Sequence, residues 1–121
     1  MNNGFGGVLA FDVGSSQEDA KKFISELKVI CHAVSLGSTE SLICIPYFTT
    51  LLYMPPERRT VFGVLPNTIR LSAGIEKTEI LLKDLEQALS KLEIKSKSKA
   101  RIYSVQKLAK KKGSDCANVR I

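Results

Sequence analysis

An arginine lies inside a stretch that is otherwise typical of a β-strand, NTIRLSAGIE at residues 67–76. Apolar and polar residues alternate there, which places Ile69, Leu71 and Ile75 on one face and Arg70 on the other. A guanidinium is well suited to a two-pronged grip on a carboxylate. A structural ion pair or a solvated sheet face would explain Arg70 equally well. The residue types alone leave these alternatives open.

Little else in the chain is equipped for catalysis. The other polar residues gather near predicted strand ends: Ser35, Ser38, Thr39, Glu40, Thr49 and Thr50. Several carboxylates fall on the polar faces of predicted helices, where solvation is expected to explain them: Glu18, Asp19, Glu26, Asp84 and Glu86. One histidine and three widely spaced cysteines, none in a C-x-x-C pair, argue against a metal site. Free thiols and no bound metal are therefore expected.

Length and hydropathy restrict the class of protein. The chain has 121 residues, which is about one domain. No apolar run approaches the ~20 residues that a membrane span needs, so no membrane association is expected. The first residues, MNNGFGG, lack the basic and apolar segments of a secretory signal. These features predict an intracellular, cytoplasmic protein.

The net charge of +6 is concentrated at one end of the chain. Residues 1–94 carry nine Lys/Arg and eleven Asp/Glu, whereas residues 95–121 carry nine Lys/Arg and one Asp. We therefore predict a domain over 1–94 and a basic, largely flexible tail over 95–121. A short helix around Ile102–Leu108 is the one element that the tail could form. Such a tail would bind polyanions weakly and without specificity.

The order of predicted elements is β-α-β-β-α-β-α. A buried strand at 8–13 precedes a helix whose start has the form of a capping box, with Ser15 and Glu18. Strands follow around His32–Leu36 and Leu42–Ile45, then a short helix within MPPERRTVFG, the strand at 67–76, and an amphipathic helix over Thr78–Lys91. No Gly-rich βαβ fingerprint is present. The pattern predicts an α+β fold, a small, mostly antiparallel sheet with helices packed on one face.

Three segments in order, GGVLAFDV, AVSLGSTESLICIP and NTIRLSAGIEKTEILLKDLEQAL, closely resemble the C-terminal domain of the Cys/Met-metabolism enzymes that depend on pyridoxal phosphate. That family includes cystathionine γ-synthase, cystathionine γ-lyase, cystathionine β-lyase and methionine γ-lyase. The resemblance covers about residues 4–92. It implies the small domain of a fold-type I enzyme of this cofactor class.

The resemblance also implies roles for two residues. In the family, the arginine of the R-L-S motif grips the α-carboxylate of the amino-acid substrate, and Arg70 occupies that position. The serine of the S-L-G motif lies in the same pocket, and Ser35 matches it. Cystathionine γ-lyases typically have an acidic residue where Val34 stands, which favours the synthase or a broader γ-lyase. The family often has Thr-His where Thr49-Thr50 stand in this chain. Glu40 is expected to be structural and to form hydrogen bonds with the backbone near the turn.

The family's Schiff-base lysine, the aspartate facing the pyridine nitrogen and the phosphate-binding residues belong to a large domain whose motifs are missing from these 121 residues. The resemblance therefore implies a small domain that binds no pyridoxal phosphate and has no activity by itself, as a remnant or as a split subunit. A separately encoded large domain and a homo-oligomer are the implied partners. The alternative is a non-enzymatic binding module that uses its basic tail on nucleic acid or an acidic partner.

Overall fold

The computed structural model of the chain describes residues 6–92 and the strand Ile102–Tyr103. The elements in chain order are β1 (Val8–Asp12), α1 (Gln17–Ser25), β2 (Cys31–His32), β3 (Leu42–Cys44), a 3₁₀ turn (Pro46–Phe48), α2 (Pro56–Val61), β4 (Thr68–Ser72), α3 (Thr78–Ser90) and β5 (Ile102–Tyr103). They form one sheet in the order β2-β3-β4-β1-β5. The pairs β3–β4, β4–β1 and β1–β5 are antiparallel, and β2–β3 is parallel.

The α+β prediction is confirmed, with α1 and α3 on one face of the sheet. Alternate strand residues point to that face and build the core with both helices: Ile43, Ile69 and Leu71 from the strands, Phe23 from α1 and Ala88 from α3. Phe23, Ile43, Ile69 and Ala88 are fully buried. Burial of these side chains is the main force holding the helices on the sheet.

The largest difference from the sequence prediction concerns the middle of the chain. The strand expected around His32–Leu36 is limited to Cys31–His32, and it pairs in parallel with β3. Parallel neighbours cannot be joined by a tight hairpin. Residues 33–41 therefore form a wide connection, which we call the arch, that passes the end of β4 before the chain returns as β3.

Two local predictions were shifted along the chain. The capping box of α1 is made by Ser16 and Asp19, one residue later than expected, with each side chain bonding the other residue's backbone N–H. The strand at 67–76 ends at Ser72, and Ile75 is 82% exposed instead of lying on the apolar face. Beyond Ser72 the N–H of Ala73 still donates to the carbonyl of Gly7, just before β1, and the N–H of Ile75 then donates to Thr39 in the arch.

The carboxylate of Asp84 is buried, so its assignment to a solvated helix face was wrong. It accepts hydrogen bonds from the backbone N–H groups of Lys28, Val29 and Ile30, which follow α1. Burial raises the pKa of Asp84, but the bonds from Ile30, Lys28 and Val29 outweigh this effect and hold the pKa below its ordinary value. One side chain of α3 thus fixes the turn that leads from α1 to β2.

The irregular segment before β4 is organised by a buried arginine. Arg59 on α2 is 8% exposed, and its three guanidinium nitrogens donate to the carbonyls of Met54, Tyr47 and Leu52 at 2.7–2.9 Å. The guanidinium also lies 4.7 Å from the ring centre of Tyr47. This clamp replaces the missing regular secondary structure, because it satisfies backbone acceptors that no strand or helix partner reaches.

Part of the predicted tail belongs to the sheet. Ile102 and Tyr103 pair with Phe11 and Ala10 of β1, so the helix expected around Ile102–Leu108 is wrong at its first two residues. The remainder of the tail lies outside the described residues, and its flexibility and polyanion binding stay predictions. In the part of the chain that the structure describes, no helix is long and apolar enough to cross a membrane.

Candidate functional site

Arg70 is at the middle of β4, on the sheet face opposite α1 and α3. Its neighbours in register are Ala10 on β1 and Cys44 on β3, both small. Side chains directly opposite each other on antiparallel strands share a face. Two small neighbours therefore leave room for the long arginine side chain to lie over the sheet and reach the arch.

The guanidinium of Arg70 is hydrogen-bonded through Nη2 but not through Nε. Its Nη2 donates to the carbonyl of Ser35 at 3.0 Å and also to the carbonyl of Val34. Its Nε is buried and has no hydrogen-bond partner within the described residues. No described carboxylate forms a salt bridge with it, so within residues 6–92 Arg70 is not half of an ion pair. A buried donor without a partner is costly, and it indicates a place that an acceptor could fill.

The structure brings Ser35 and Arg70 together through the serine backbone. The Ser35 side chain is exposed, and only its carbonyl touches Arg70. Thr49 and Thr50 stand where the family that the chain resembles often has Thr-His. The hydroxyl of Thr49 donates to the carbonyl of Ile45 at 2.9 Å, and Thr50 is exposed. Thr49 therefore stabilises the 3₁₀ turn.

The second and third of the three segments that carry the resemblance are bonded to each other. The N–H of Gly37 donates to Ser72 Oγ at 3.0 Å, and the N–H of Ile75 donates to the carbonyl of Thr39 at 2.9 Å. Gly37 has φ +72°, in the left-handed region that glycine adopts without strain. The arch thus follows the end of β4 closely along its whole length.

The tightest of these links joins Ser41 and Glu76. The N–H and hydroxyl of Ser41 donate to the two carboxylate oxygens of Glu76 at 2.7 and 2.8 Å, and Ser41 Oγ accepts from the N–H of Gly74 at 2.9 Å. The bonds from the Ser41 N–H, the Ser41 hydroxyl and the Glu76 N–H lower the pKa of Glu76, so the carboxylate stays charged.

Sequence reasoning assigned backbone bonding near this turn to Glu40, but Glu76 has that role. Glu40 is exposed, whereas Ser41 is fully buried. The signal was present in the sequence, because Ser41 and Glu76 both belong to the segments that carry the resemblance. Only their proximity was missing, since 35 residues separate them along the chain.

The described residues do not fit pyridoxal phosphate by themselves. A lysine that forms a Schiff base must be desolvated beside the cofactor to have a usable pKa. The lysines of residues 6–92 are all exposed: Lys21, Lys22, Lys28, Lys77, Lys83 and Lys91. None of them is bonded to Arg70 or to the arch. Within residues 6–92, Arg70 therefore has no lysine beside it that could hold the cofactor.

Comparison with known proteins identifies the same family that the motifs resemble. The model of the family described as Cys/Met metabolism PLP-dependent enzyme matches residues 1–90. Cystathionine gamma-lyase of Bacillus subtilis is 45% identical over 89 residues, which are 74% of this chain and 23% of that protein. O-acetyl-L-homoserine sulfhydrylase 1 of Thermus thermophilus is 41% identical over 85 residues, 70% of this chain and 20% of that protein.

A solved structure shares the fold. Cystathionine gamma-lyase from Lactobacillus plantarum, complexed with L-serine, superposes with a TM-score of 0.65 at 37% identity, covering 73% of this chain and 23% of that one. The chain thus spans about a quarter of the length of the curated relatives and solved structures that it matches.

Proposed function

Because the chain belongs to the Cys/Met-metabolism family of enzymes that depend on pyridoxal phosphate, we propose that it is the substrate-carboxylate-binding domain of a transsulfuration enzyme. In this proposal Arg70 binds the α-carboxylate of a sulfur-containing amino acid, and the arch at Ser35 forms the wall of the same pocket. The observation that carries the proposal is the guanidinium of Arg70, which is oriented by two backbone carbonyls while its buried Nε has no partner.

The geometry suits a carboxylate for an electrostatic reason. The carbonyls of Val34 and Ser35 orient the guanidinium without neutralising it, so its full charge remains available to an anion. A guanidinium is more weakly hydrated than an ammonium, and its planar fork matches the two oxygens of a carboxylate. An ion pair formed here would gain strength as a covering domain excludes water.

The domain needs the rest of a family enzyme for activity. Pyridoxal phosphate supplies the electron sink for chemistry at the substrate's α-carbon, and a lysine moves the proton. The exposed lysines of the described residues cannot take that position. We propose that the cofactor-binding large domain completes the site, whether it is on the same polypeptide or on a separate one, and that the 121-residue chain alone is inactive.

The reaction type that we propose within the family is inferred from similar proteins. Cystathionine γ-lyases are among the similar proteins, in Bacillus subtilis and in Dictyostelium discoideum, where the identity is 41% over 88 residues. The side chain of Val34 is exposed at the rim of the arch, beside the carbonyl that Arg70 contacts. An apolar residue there favours a synthase or a γ-lyase with a broader substrate range, because it offers no charge to a distal ammonium group.

A chimeric enzyme tests the proposal. The matched segment of the Bacillus subtilis cystathionine gamma-lyase is replaced by the full 121-residue chain, and γ-elimination from L-cystathionine is measured with pyridoxal phosphate present. We expect turnover by the chimera and none by the chain alone. Arg70→Lys keeps the charge but loses the fork, so it should lower kcat/KM. Arg70→Ala should lower it further, by an amount on the order of 2–5 kcal/mol for a desolvated charge pair.

Arg58→Lys is the matched control, because Arg58 is an exposed arginine on α2. It should leave kcat/KM unchanged. Equal activity of the chimera with Arg70 and with Arg70→Ala would contradict the carboxylate role. Turnover of L-cystathionine by the unfused chain would contradict the requirement for a large domain.

A further inference from the structure

The orientation of Arg70 depends on a segment that is itself exposed. Val34, Ser35 and Leu36 are exposed, and they carry the two carbonyls that Nη2 of Arg70 contacts. An exposed stretch without regular secondary structure holds one conformation only where its flanks are fixed. The arch is fixed at its start, where the N–H of Ala33 donates to the carbonyl of Ile43 at 3.0 Å.

Beyond Ser35 two single bonds hold the arch, one from the Gly37 N–H to Ser72 Oγ and one from the Ile75 N–H to the carbonyl of Thr39. Its far end is fixed by a junction at Ser41. This residue is fully buried, and each of its polar groups has a partner. Its N–H and hydroxyl donate to Glu76, its Oγ accepts from the N–H of Gly74, and its carbonyl accepts from the N–H of Cys31 at 3.0 Å. The junction therefore joins the end of the arch to β2 and to the chain that leaves β4.

Glu76 supplies the charged half of this junction. A carboxylate that accepts from an N–H and from a hydroxyl forms bonds about twice as strong as neutral ones. Within residues 6–92 no cation forms a salt bridge with it, and the bonds from Ser41 are what stabilise its charge there. Each carboxylate oxygen accepts one bond, so a neutral amide in its place would keep an acceptor for the Ser41 N–H but would turn a donor toward Ser41 Oγ, and the bond donated by that hydroxyl would be lost.

We propose that Glu76 and Ser41 are positioning residues for Arg70: by fixing the end of the arch, they hold the carbonyls of Val34 and Ser35 where these orient the guanidinium toward a substrate carboxylate. The inference rests on the proposed carboxylate role of Arg70. It adds that the glutamate of the I-R-L-S-x-G-I-E segment acts on substrate binding through the arch, without touching the substrate. In metal sites, loss of a residue that orients a ligand lowers affinity by about 10–100-fold, and we expect an effect near the lower end of that range here.

The first test measures Arg70 directly in the full 121-residue chain. Relaxation of the ¹⁵N–¹H pair at Arg70 Nε reports the order parameter of the side chain, which we expect to be near 0.8 in the unsubstituted chain, about that of a rigid backbone. Glu76→Gln and Ser41→Ala should lower it to about 0.6 or less. Glu40→Gln is the matched control, because it makes the same charge change at an exposed residue next to Ser41, and it should have no effect.

The outcomes are decisive because dispersion of the backbone amide signals shows whether each variant is folded. Ser41→Ala is the milder change, since it keeps the bond from the Ser41 N–H to Glu76. An unchanged order parameter of Arg70 in whichever variant folds would overturn the proposal. Failure of both variants to fold would also overturn it, because the junction would then be required for the whole fold and not for the arch alone.

A second measurement separates this inference from the proposed function. In the chimeric enzyme, Glu76→Gln should raise KM for L-cystathionine about tenfold with kcat little changed. The same substitution in the Arg70→Ala background should have almost no further effect, because the group that it positions is gone. If Arg70→Ala alone is silent, the carboxylate role fails while the relaxation result stands. If Arg70→Ala is costly and Glu76→Gln is not, the positioning role fails by itself.

Discussion

Asp84 on α3 accepts a hydrogen bond from the backbone N–H of Ile30 at 3.0 Å, across 54 residues of sequence. The same carboxylate accepts from the N–H groups of Lys28 and Val29 at 2.9 Å. These three donors follow α1, and within the described residues no backbone carbonyl accepts from them. The last helix of the domain therefore holds the entry to β2, the strand from which the arch departs.

Removal of the charge at Asp84 should destabilise the fold. Asp84→Asn keeps the shape of the side chain but turns an amide toward at least one backbone N–H, which should lower the free energy of unfolding by about 2 kcal/mol. Urea unfolding at pH 7 measures the effect. Glu86→Gln, on the exposed side of the same helix, is the control and should change stability little. Equal stability of the two variants would contradict the anchoring role of Asp84.

Stability should fall in acid. The pKa values of Glu76 and Asp84 lie below their ordinary values of 4.5 and 3.8 in the folded chain. A group whose pKa is depressed by folding stabilises the protein above its unfolded pKa and loses that contribution as the pH drops through the folded value. Urea unfolding between pH 7 and pH 2 should show a plateau above these ordinary values and a decline below them. The difference in free energy of unfolding between the unsubstituted chain and Asp84→Asn should shrink as the pH falls. A difference that stays constant would refute the stabilising role of the charged Asp84 carboxylate.

The clamp at Arg59 predicts a contrast between adjacent arginines. Arg59→Lys keeps the positive charge, but a single ammonium cannot reach the carbonyls of Met54, Tyr47 and Leu52 in their three directions. We expect the free energy of unfolding to fall by about 2 kcal/mol and amide exchange over residues 47–54 to accelerate. Arg58→Lys should change neither quantity, because Arg58 is exposed. Similar exchange rates in both variants would contradict the clamp.

Gly74 is required by the close passage of the arch. A Cβ at this position would overlap the backbone carbonyl of Thr39 and lie 2.6 Å from the carbonyl carbon of Glu40. These backbone atoms of the arch cannot move away without breaking the bonds around Ser41, so Gly74→Ala should be strongly destabilising, by about 3 kcal/mol. Gly6→Ala is the control, because a Cβ there meets nothing within 4 Å. A thermal midpoint of Gly74→Ala that matches the control would show that the arch is looser than described.

The sequence by itself determined the elements that have a strong period. Alternation placed Ile69 and Leu71 in the core and Arg70 on the opposite face. The amphipathic pattern predicted a helix over Thr78–Lys91, which ends within one residue of the observed α3, Thr78–Ser90. A period reports which side of one element faces an apolar environment, and that information is local. The motifs likewise sufficed to indicate the family.

Only the tertiary structure decided which partners meet. Three features depend on contacts between separate segments of the chain. They are the parallel pairing of β2 with β3, the burial of Asp84 and the contact between Ser41 and Glu76. From local pattern alone, every isolated aspartate or glutamate is predicted to be exposed to solvent. Whether its carboxylate can be buried depends on hydrogen-bond donors that other segments of the chain bring to it. The chain brings those donors together when the arch crosses the end of β4, and that crossing follows from long-range packing and not from any local preference.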